Sequence, residues 1–368
     1  MFSFFREKPE TNLVFRIGSA SVGAGLVRFE QDKPPHLIEA IREPIAHDDI
    51  VDSKRLQAAM LSAFQVVGER AIKKARLDGL PAIGSIFLSF SSPWVATTTK
   101  IITIKGPQPF TLTRGHIDRI ISADEEAFQK GASRGLFVIE RRVLGVKPYD
   151  EKTRAAEISL LTSAIPTDLY REMIRISSRF RESREIKTFS LALAAFSIIA
   201  SEHPEMPDFI FIDVGGEVSE AAIVRGGIIT ETASFPVGRH SIIRSIRKAL
   251  GATAEETASL IRLYEEGDMD RATAAHLKPA LDRSAHEWRT GFDAALAPIS
   301  SWKALPLRLY AAIENDLAAL FRRLLKSDEL PLETTIIDAA RLRHFVSSEN
   351  RAIDDVCMAI ASAFAGMI

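Results

Sequence analysis

The sequence is poor in the features that mark secreted, membrane-spanning and nucleic-acid-binding proteins. Its one cysteine, Cys357, excludes an intramolecular disulfide and favours a reducing compartment. The 47 basic and 48 acidic residues give a net charge of -1, without the clustered basic surplus that nucleic acid requires. The longest mostly apolar run, residues 189–200, is shorter than the roughly 20 residues of a transmembrane helix. We therefore expect a cytoplasmic protein with no transmembrane segment and no nucleic-acid partner.

Two segments of similar design lie about 195 residues apart, which indicates an internal repeat. In the first, apolar runs at 13–17 and 24–29 flank the Ser/Gly-rich segment 18–23, a pattern that predicts a β-hairpin. In the second, the apolar run 209–214 leads through a Gly-Gly turn to another apolar run. The pattern favours two related halves, and a chain of 368 residues is long enough for two or more domains.

The remaining elements alternate between β-rich and helical segments. Residues 53–76 carry a helical apolar stripe with Ser53 as its cap, and residues 82–165 are β-rich. The run 189–200 is typical of a buried helix, and residues 252–323 are helical and charged. Residues 350–368 predict a closing helix with one apolar face, made of Ile353, Val356, Ile360 and Phe364.

Four segments of the second half carry a more specific pattern: 213–220, 226–228, 235–238 and 250–256. In them the chain resembles the PilM family of type IV pilus assembly proteins, and the FtsA cell-division family has the same pattern. The resemblance implies an α/β, actin-like (ribonuclease H-like, duplicated βββαβα) two-lobed fold with an inserted SHS2-type 1C subdomain. The implied divisions are 1–81 (lobe I, 1A, first part), 82–165 (inserted 1C subdomain), 166–204 (lobe I, second part), 205–251 (lobe II, 2A, first part), 252–330 (helical 2B subdomain), 331–349 (lobe II, last part) and 350–368 (closing helix).

The resemblance also implies a nucleotide cleft between the lobes. In actin-like ATPases, backbone N–H groups of two glycine-rich turns hold the phosphates, and aspartates opposite hold hydrated Mg²⁺. Glycine lets the backbone approach closely. Two tight hairpins that bind nothing would need the same residue types. The implied binding positions are Gly18, Ser19 and Ser21 in the first turn, Asp213, Gly215, Gly216, Glu217 and Ser219 around the second turn, and Gly238.

Four positions depart from the family pattern at this cleft. Arg16 stands where the first strand carries an aspartate, and a fixed cation repels hydrated Mg²⁺. The helix between the halves has no acid or amide at 193–198 to position a water molecule. Residues 257–261 lack the polar nucleoside contacts, and the strand expected at 334–337 is followed by Asp338 rather than by a glycine pair.

These departures predict a pseudo-ATPase. We expect no catalytic residue, no metal site, and either no cofactor or weak binding of ATP or ADP, with Mg²⁺ only where nucleotide binds. Arg16 and Asp213 occupy corresponding points of the two hairpins, which face each other across the cleft. We therefore predict that they form an ion pair that replaces the nucleotide as a bridge between the lobes.

The resemblance finally implies a function as a cytoplasmic scaffold of a type IV pilus or a related secretion machine, held at the inner membrane through its partners. The expected partner is the N-terminal cytoplasmic tail of a PilN-like inner-membrane protein, bound in a groove between the first subdomain and the insert. Self-association is a second potential contact. Two alternatives stay open: an active ATP-hydrolysing actin-like protein of pilus assembly, and an FtsA-like cell-division protein.

Overall fold

The computed structural model describes residues 10–45, 52–131, 135–148, 151–180, 185–299, 305–313, 317–325, 332–348 and 355–368. The strands in these ranges are β1 (Thr11–Ile17), β2 (Ser21–Arg28), β3 (His36–Pro44), β4 (Ile83–Phe90), β5 (Ala96–Thr111), β6 (Leu136–Lys147), β7 (Lys152–Pro166), β8 (Glu185–Ser190), β9 (Phe209–Val214), β10 (Ser219–Arg225), β11 (Ile228–Phe235), β12 (Arg308–Ile313) and β13 (Glu333–Ile336). The helices are α1 (Ser53–Leu77), α2 (Arg114–Lys130), α3 (Thr167–Ser177), α4 (Leu191–Glu202), α5 (Arg239–Leu250), α6 (Ala254–Glu266), α7 (Arg271–Leu296), α8 (Ala318–Leu325), α9 (Ala339–Leu342) and α10 (Val356–Ala365).

Two five-stranded sheets share one topology, which confirms the duplicated two-lobed fold. Lobe I has the order β3-β2-β1-β4-β8, and lobe II has the order β11-β10-β9-β12-β13. In each lobe the first three strands are antiparallel and the last two run parallel to the first. Strand β9 is buried along its whole length, as its nearly continuous apolar sequence requires.

Helices α4 and α10 pack against each other between the lobes. Residues of both helices share one apolar cluster with residues of both large sheets. All ten residues of α10 are buried, so the expectation of a single apolar face was wrong. No side of helix α10 faces solvent, because both lobes cover it. The fourth residue of the expected apolar face, Ile353, lies outside the described residues. Of the helices in the described ranges, none has the length and apolar character needed to span a membrane.

The insert forms a separate antiparallel sheet of order β5-β7-β6, with α2 packed on one face. It is fastened to lobe I through Glu140, whose buried carboxylate accepts hydrogen bonds from Ser163 Oγ (2.5 Å) and from Ser190 Oγ (2.5 Å) and N–H (3.1 Å). Burial raises the pKa of Glu140, although these hydrogen bonds oppose the rise. Because Ser190 is the N-cap of α4, Glu140 connects the insert to the start of the inter-lobe helix.

Four local expectations from the sequence were wrong. The insert, expected to begin at residue 82, begins only after β4, because β4 pairs with β1 and β8 in the lobe I sheet. The helix expected at 189–200 begins only at Leu191, because the two residues before it complete β8 at the edge of the lobe I sheet. The region expected to be helical, 252–330, is interrupted by β12, which pairs with both β9 and β13. The cap of α1 is Asp52 rather than Ser53, since the Asp52 side chain accepts a hydrogen bond of 2.8 Å from the N–H of Arg55.

Candidate functional site

The turn between β1 and β2 directly contacts the turn between β9 and β10. A β-carbon added to Gly216 would lie 2.5 Å from the amide nitrogen of Ala20 and 2.6 Å from the carbonyl carbon of Ser19. The backbone N–H of Glu217 donates a hydrogen bond of 3.0 Å to Ser19 Oγ. The structure therefore brings three of the expected binding residues, Ser19, Gly216 and Glu217, into direct contact with one another.

A phosphate group bound between two such turns would hold their backbones apart. Two N–H···O hydrogen bonds of about 2.9 Å to one phosphate, one from each turn, place the donor nitrogens about 5 Å or more apart. The backbones of Gly216 and Ala20 are closer than this, because even a β-carbon on Gly216 would collide with Ala20. In this arrangement the two turns are in direct contact at Gly216 and Ala20.

Arg16 lies across the first turn and is 1% exposed. Its guanidinium donates a hydrogen bond of 2.9 Å to Ser21 Oγ, and Arg42 Nε donates one of 2.8 Å to the same oxygen. A β-carbon on Gly18 would lie 2.9 Å from Arg16 Cζ. The hydroxyl expected to face a phosphate therefore has two arginines around it, and Arg16 occupies the space beside Gly18.

Asp213 in β9 and Glu220 in β10 are opposite each other in the antiparallel pair of strands, and both residues are buried. Ser92, in the segment that joins β4 of lobe I to β5 of the insert, donates a hydrogen bond of 2.9 Å to Glu220 Oε2. Burial raises the pKa of Glu220 to about 7; the charge of Asp213 adds to this rise and the Ser92 hydrogen bond opposes it. Glu220 therefore links lobe II to lobe I by a buried polar contact.

Asp213 and Arg16 both lie in the buried junction between the lobes. The Sγ atom of Cys357, on α10, is 3.9 Å from Asp213 Oδ1. The ion pair between Arg16 and Asp213 stays a prediction, and it is tested by the double-mutant cycle proposed below.

The carboxylate of Glu217 is directed to helix α5. Arg244 donates two hydrogen bonds to it, of 2.8 Å to Oε1 and 2.6 Å to Oε2, and His240 Nδ1 lies 3.2 Å from Oε1. Burial alone would raise the pKa of Glu217, but the hydrogen bonds and charges of Arg244 and His240 lower it to about 2. Glu217 therefore holds the second turn through its side chain and joins the first turn through its backbone N–H.

Backbone carbonyl groups of the second turn cap the N-terminus of α5. The N–H groups of Arg239 and His240 donate to the carbonyl oxygens of Gly215 (2.9 Å) and Gly216 (2.8 Å). A β-carbon on Gly238 would lie 2.5 Å from both oxygens, so only glycine fits there. These two N–H groups at a helix N-terminus, a common anion-binding position, are thus already paired with backbone.

The hydroxyl of Ser219 is directed away from the first turn. Its hydroxyl donates to the carbonyl oxygen of Val237 (2.7 Å) and accepts a hydrogen bond of 3.0 Å from Trp288 Nε1. Successive residues of a strand point to opposite faces. Ser219 therefore faces the helical layer of lobe II, while Glu220 faces lobe I.

The other three departures from the family pattern lie in helices or at a helix start. Leu193 is buried in α4, and the hydroxyl of Thr257 donates 2.7 Å to the carbonyl oxygen of Thr253. Asp338 caps α9 by accepting a hydrogen bond of 3.0 Å from the N–H of Arg341. The polar groups of Thr257 and Asp338 therefore have local structural partners.

Sequence reasoning missed Ser92, Glu220, His240 and Arg244. Glu220 had a signal, since it is an acid inside an otherwise apolar strand, and such a residue usually has a buried partner. Ser92 is the second residue after β4, but its partner is 128 residues away. His240 and Arg244 lie on an ordinary amphipathic helix, so nothing in the local pattern distinguished them.

Comparisons with known proteins extend the similarity to the whole chain. No family model matches the sequence, and no curated protein matches it. A solved structure described as the PilM-PilN type IV pilus biogenesis complex contains a chain with a TM-score of 0.66 and 14% identity, covering 97% of this chain and 98% of that chain. Lower scores are found for the ethanolamine utilization protein EutJ from Carboxydothermus hydrogenoformans (TM-score 0.49, 12% identity, 97% and 90% covered) and for MreB5 of Spiroplasma citri bound to ADP (TM-score 0.46, 10% identity, 97% and 95% covered). With its two lobes of identical topology and this agreement over almost its entire length, the chain has the fold of the actin-like ATPases.

Proposed function

We propose that this protein is an actin-like scaffold, a pseudo-ATPase, of a type IV pilus or related secretion machine. The observation that carries the proposal is the direct contact between the two turns, where Gly216 meets Ala20 and the Glu217 N–H donates to Ser19 Oγ. In an actin-like ATPase this junction would hold the phosphates. The cation of Arg16 across the first turn supports the same conclusion, because it disfavours a hydrated Mg²⁺ nearby.

The fold similarity to a chain of a PilM-PilN complex supports a PilN-like partner, whose cytoplasmic N-terminal tail would bind between lobe I and the insert. At that junction the ring of Phe137 stacks on Tyr170 at 3.7 Å, and Leu136 and Phe137 are 43% and 37% exposed. Strand β6 is at the edge of the insert sheet, where an extended peptide can add its backbone and place alternate side chains in pockets. The membrane segment of such a partner would hold this protein at the cytoplasmic face of the inner membrane.

Binding of a labelled peptide with the tail sequence of a PilN-like protein from the same organism tests this proposal. We expect saturable binding that is the same with and without ATP and Mg²⁺. Phe137→Ser should weaken it by about tenfold or more. The matched control is Leu307→Ser, because Leu307 is an equally apolar residue, 68% exposed, on lobe II. Equal binding by both variants, or binding that depends on ATP, would contradict the scaffold proposal.

A working ATPase is the second candidate, because a buried aspartate, Asp213, is retained at the end of β9 beside the second turn. On this alternative, the lobes separate to admit nucleotide and the turn contact belongs to one state of a cycle. Micromolar, Mg²⁺-dependent binding of ATP would favour it over the scaffold.

A further inference from the structure

A groove crosses lobe I at the end of its sheet where β1 and β4 begin. It runs between the last turns of α1 and the short 3-10 turn Ser178–Phe180 that follows α3. Its main part encloses about 440 Å³ beside Lys73 and Leu77, and a second part of about 320 Å³ continues past Phe180 to Ile83. This is the end of α3 remote from the Phe137–Tyr170 stack, so the groove is distinct from the site proposed for a PilN-like tail.

The floor of the groove is apolar and fixed. Phe180 is buried and packs edge-on against Phe64 at 6.0 Å between ring centroids. Any β-carbon at position 68 would overlap the Phe180 ring, so Gly68 lets the ring lie against α1. Ile72 and Leu80 extend this floor, and Leu77 stands at the rim with 74% of its surface exposed.

The rim carries three exposed cations, Lys73, Arg76 and Arg179, which have no carboxylate partner among the residues that the structure describes. Glu69 is the acid that lines the groove, and it accepts a hydrogen bond of 2.8 Å from Gln65. Three cations and one carboxylate leave a positive excess around an apolar floor.

Neighbouring cations on the same helices are paired. Arg70 contacts Glu43 at 2.6 Å, and Arg175 contacts Glu172 at 2.7 Å. Lys74 contacts Asp78 at 2.6 Å. The groove therefore brings together three cations that lack such an ion pair within the described ranges, Lys73, Arg76 and Arg179.

We propose that this groove is a docking site for an extended acidic segment of a partner protein. A large apolar side chain of that segment would lie on the floor beside Phe180, and its carboxylates would pair with Lys73, Arg76 and Arg179. The charge of the rim selects an acidic partner. The concave shape favours an inserted side chain over a flat lipid surface. A single side chain contributes most to binding when it is buried in a pocket.

The test uses the full chain and three synthetic fluorescent peptides of equal length. In the first peptide glutamate alternates with phenylalanine, in the second lysine alternates with phenylalanine, and in the third glutamate alternates with serine. We expect saturable binding of the first peptide with a dissociation constant below about 1 mM, and much weaker binding of the other two. Arg76→Glu combined with Arg179→Glu should weaken it by about tenfold or more. The matched control combines Arg70→Glu with Arg175→Glu, which changes the net charge equally at paired cations. Circular dichroism establishes that both variants fold.

Four outcomes would overturn the proposal, the last of them a preference for lipid. The first is no saturable binding of the glutamate–phenylalanine peptide up to about 1 mM. The second is an equal loss in the groove variant and its control, which would show that only net charge matters. The third is binding that arises only after residues 1–8 are deleted, which would show that the chain itself covers the groove. Preferential binding to vesicles of anionic phospholipid over the peptide would assign the surface to a membrane instead.

Discussion

The hydroxyl of Ser92, on lobe I, donates a hydrogen bond of 2.9 Å to the buried carboxylate of Glu220, on lobe II. A second polar contact between the lobes runs from the Glu217 N–H to Ser19 Oγ at 3.0 Å. Close packing of Gly216 on Ala20 lies beside it. The two lobes are thus joined by groups of the protein itself at the two turns where the sequence resemblance predicts a nucleotide cleft.

The burial of Glu220 makes the stability of the fold depend on pH. The pKa of Glu220 is about 7 in the folded protein and 4.5 ordinarily, so folding favours the protonated carboxyl. Its contribution is fully present below pH 4.5 and is lost as the pH rises to 7, a change of about 3 kcal/mol. Glu220→Gln should remove this component. Urea unfolding at pH 4.5 and pH 8 measures it, and an unchanged pH dependence in Glu220→Gln would refute the assignment.

The contact between the turns leaves no space for a side chain at Gly216. Gly216→Ala should lower the free energy of unfolding by about 2 kcal/mol, because the new methyl group meets backbone atoms of Ser19 and Ala20 that cannot move aside cheaply. Gly115→Ala, in α2, is the control, since nothing lies within 4 Å of its added carbon. Chemical denaturation should show the control to be neutral or slightly stabilised. Equal effects in both variants would mean that the turns are apart in solution.

The positive charge of Arg244 stabilises the buried carboxylate of Glu217 at the second turn. Arg244→Ala should cost about 3 kcal/mol, because it removes both hydrogen bonds from Arg244 to Glu217. Arg175→Ala breaks an exposed pair with Glu172 and should cost less than about 1 kcal/mol. The comparison is made by urea denaturation at pH 7. A cost for Arg244→Ala as small as that of the control would contradict the burial of Glu217.

The predicted ion pair between Arg16 and Asp213 requires a double-mutant cycle. If the pair exists, Arg16→Met should destabilise the fold by several kcal/mol because it strands a buried aspartate. Arg16→Met combined with Asp213→Asn should then cost less than the sum of the single changes by more than about 1 kcal/mol. Purely additive free energies of unfolding would rule the ion pair out.

Much of the fold was predictable because it is duplicated. Two Ser/Gly-rich hairpins in the sequence predicted two related lobes, and the two large sheets have the same strand order as each other. The strands β8 and β12 were missed for a physical reason. Strand β12 is a short apolar run beside helical sequence, and such a run has no periodicity that separates strand from helix. Strand β8 is mostly polar, with Ile186 and Phe189 as its apolar residues, so its sequence does not have a strand pattern. Their assignment depends on pairing with β4 and β9, which the local sequence does not contain.

The site was predictable in part. Glycine and serine identified both turns, and Arg16 was recognised as a cation in an acidic position. The contact of Gly216 with Ala20 could not be predicted, since it joins residues nearly two hundred positions apart and depends on how both lobes close over α4 and α10. The roles of Ser92 and Arg244 depend on the same closure.

We propose that contact between the lobes has replaced a bound nucleotide. Calorimetric titration of the full chain with ATP and with ADP, each with and without Mg²⁺, tests it most directly, with thermal unfolding in the same solutions as a second reading. The account predicts no binding heat and no rise in the unfolding temperature at millimolar nucleotide. Micromolar, Mg²⁺-dependent binding accompanied by thermal stabilisation would contradict it.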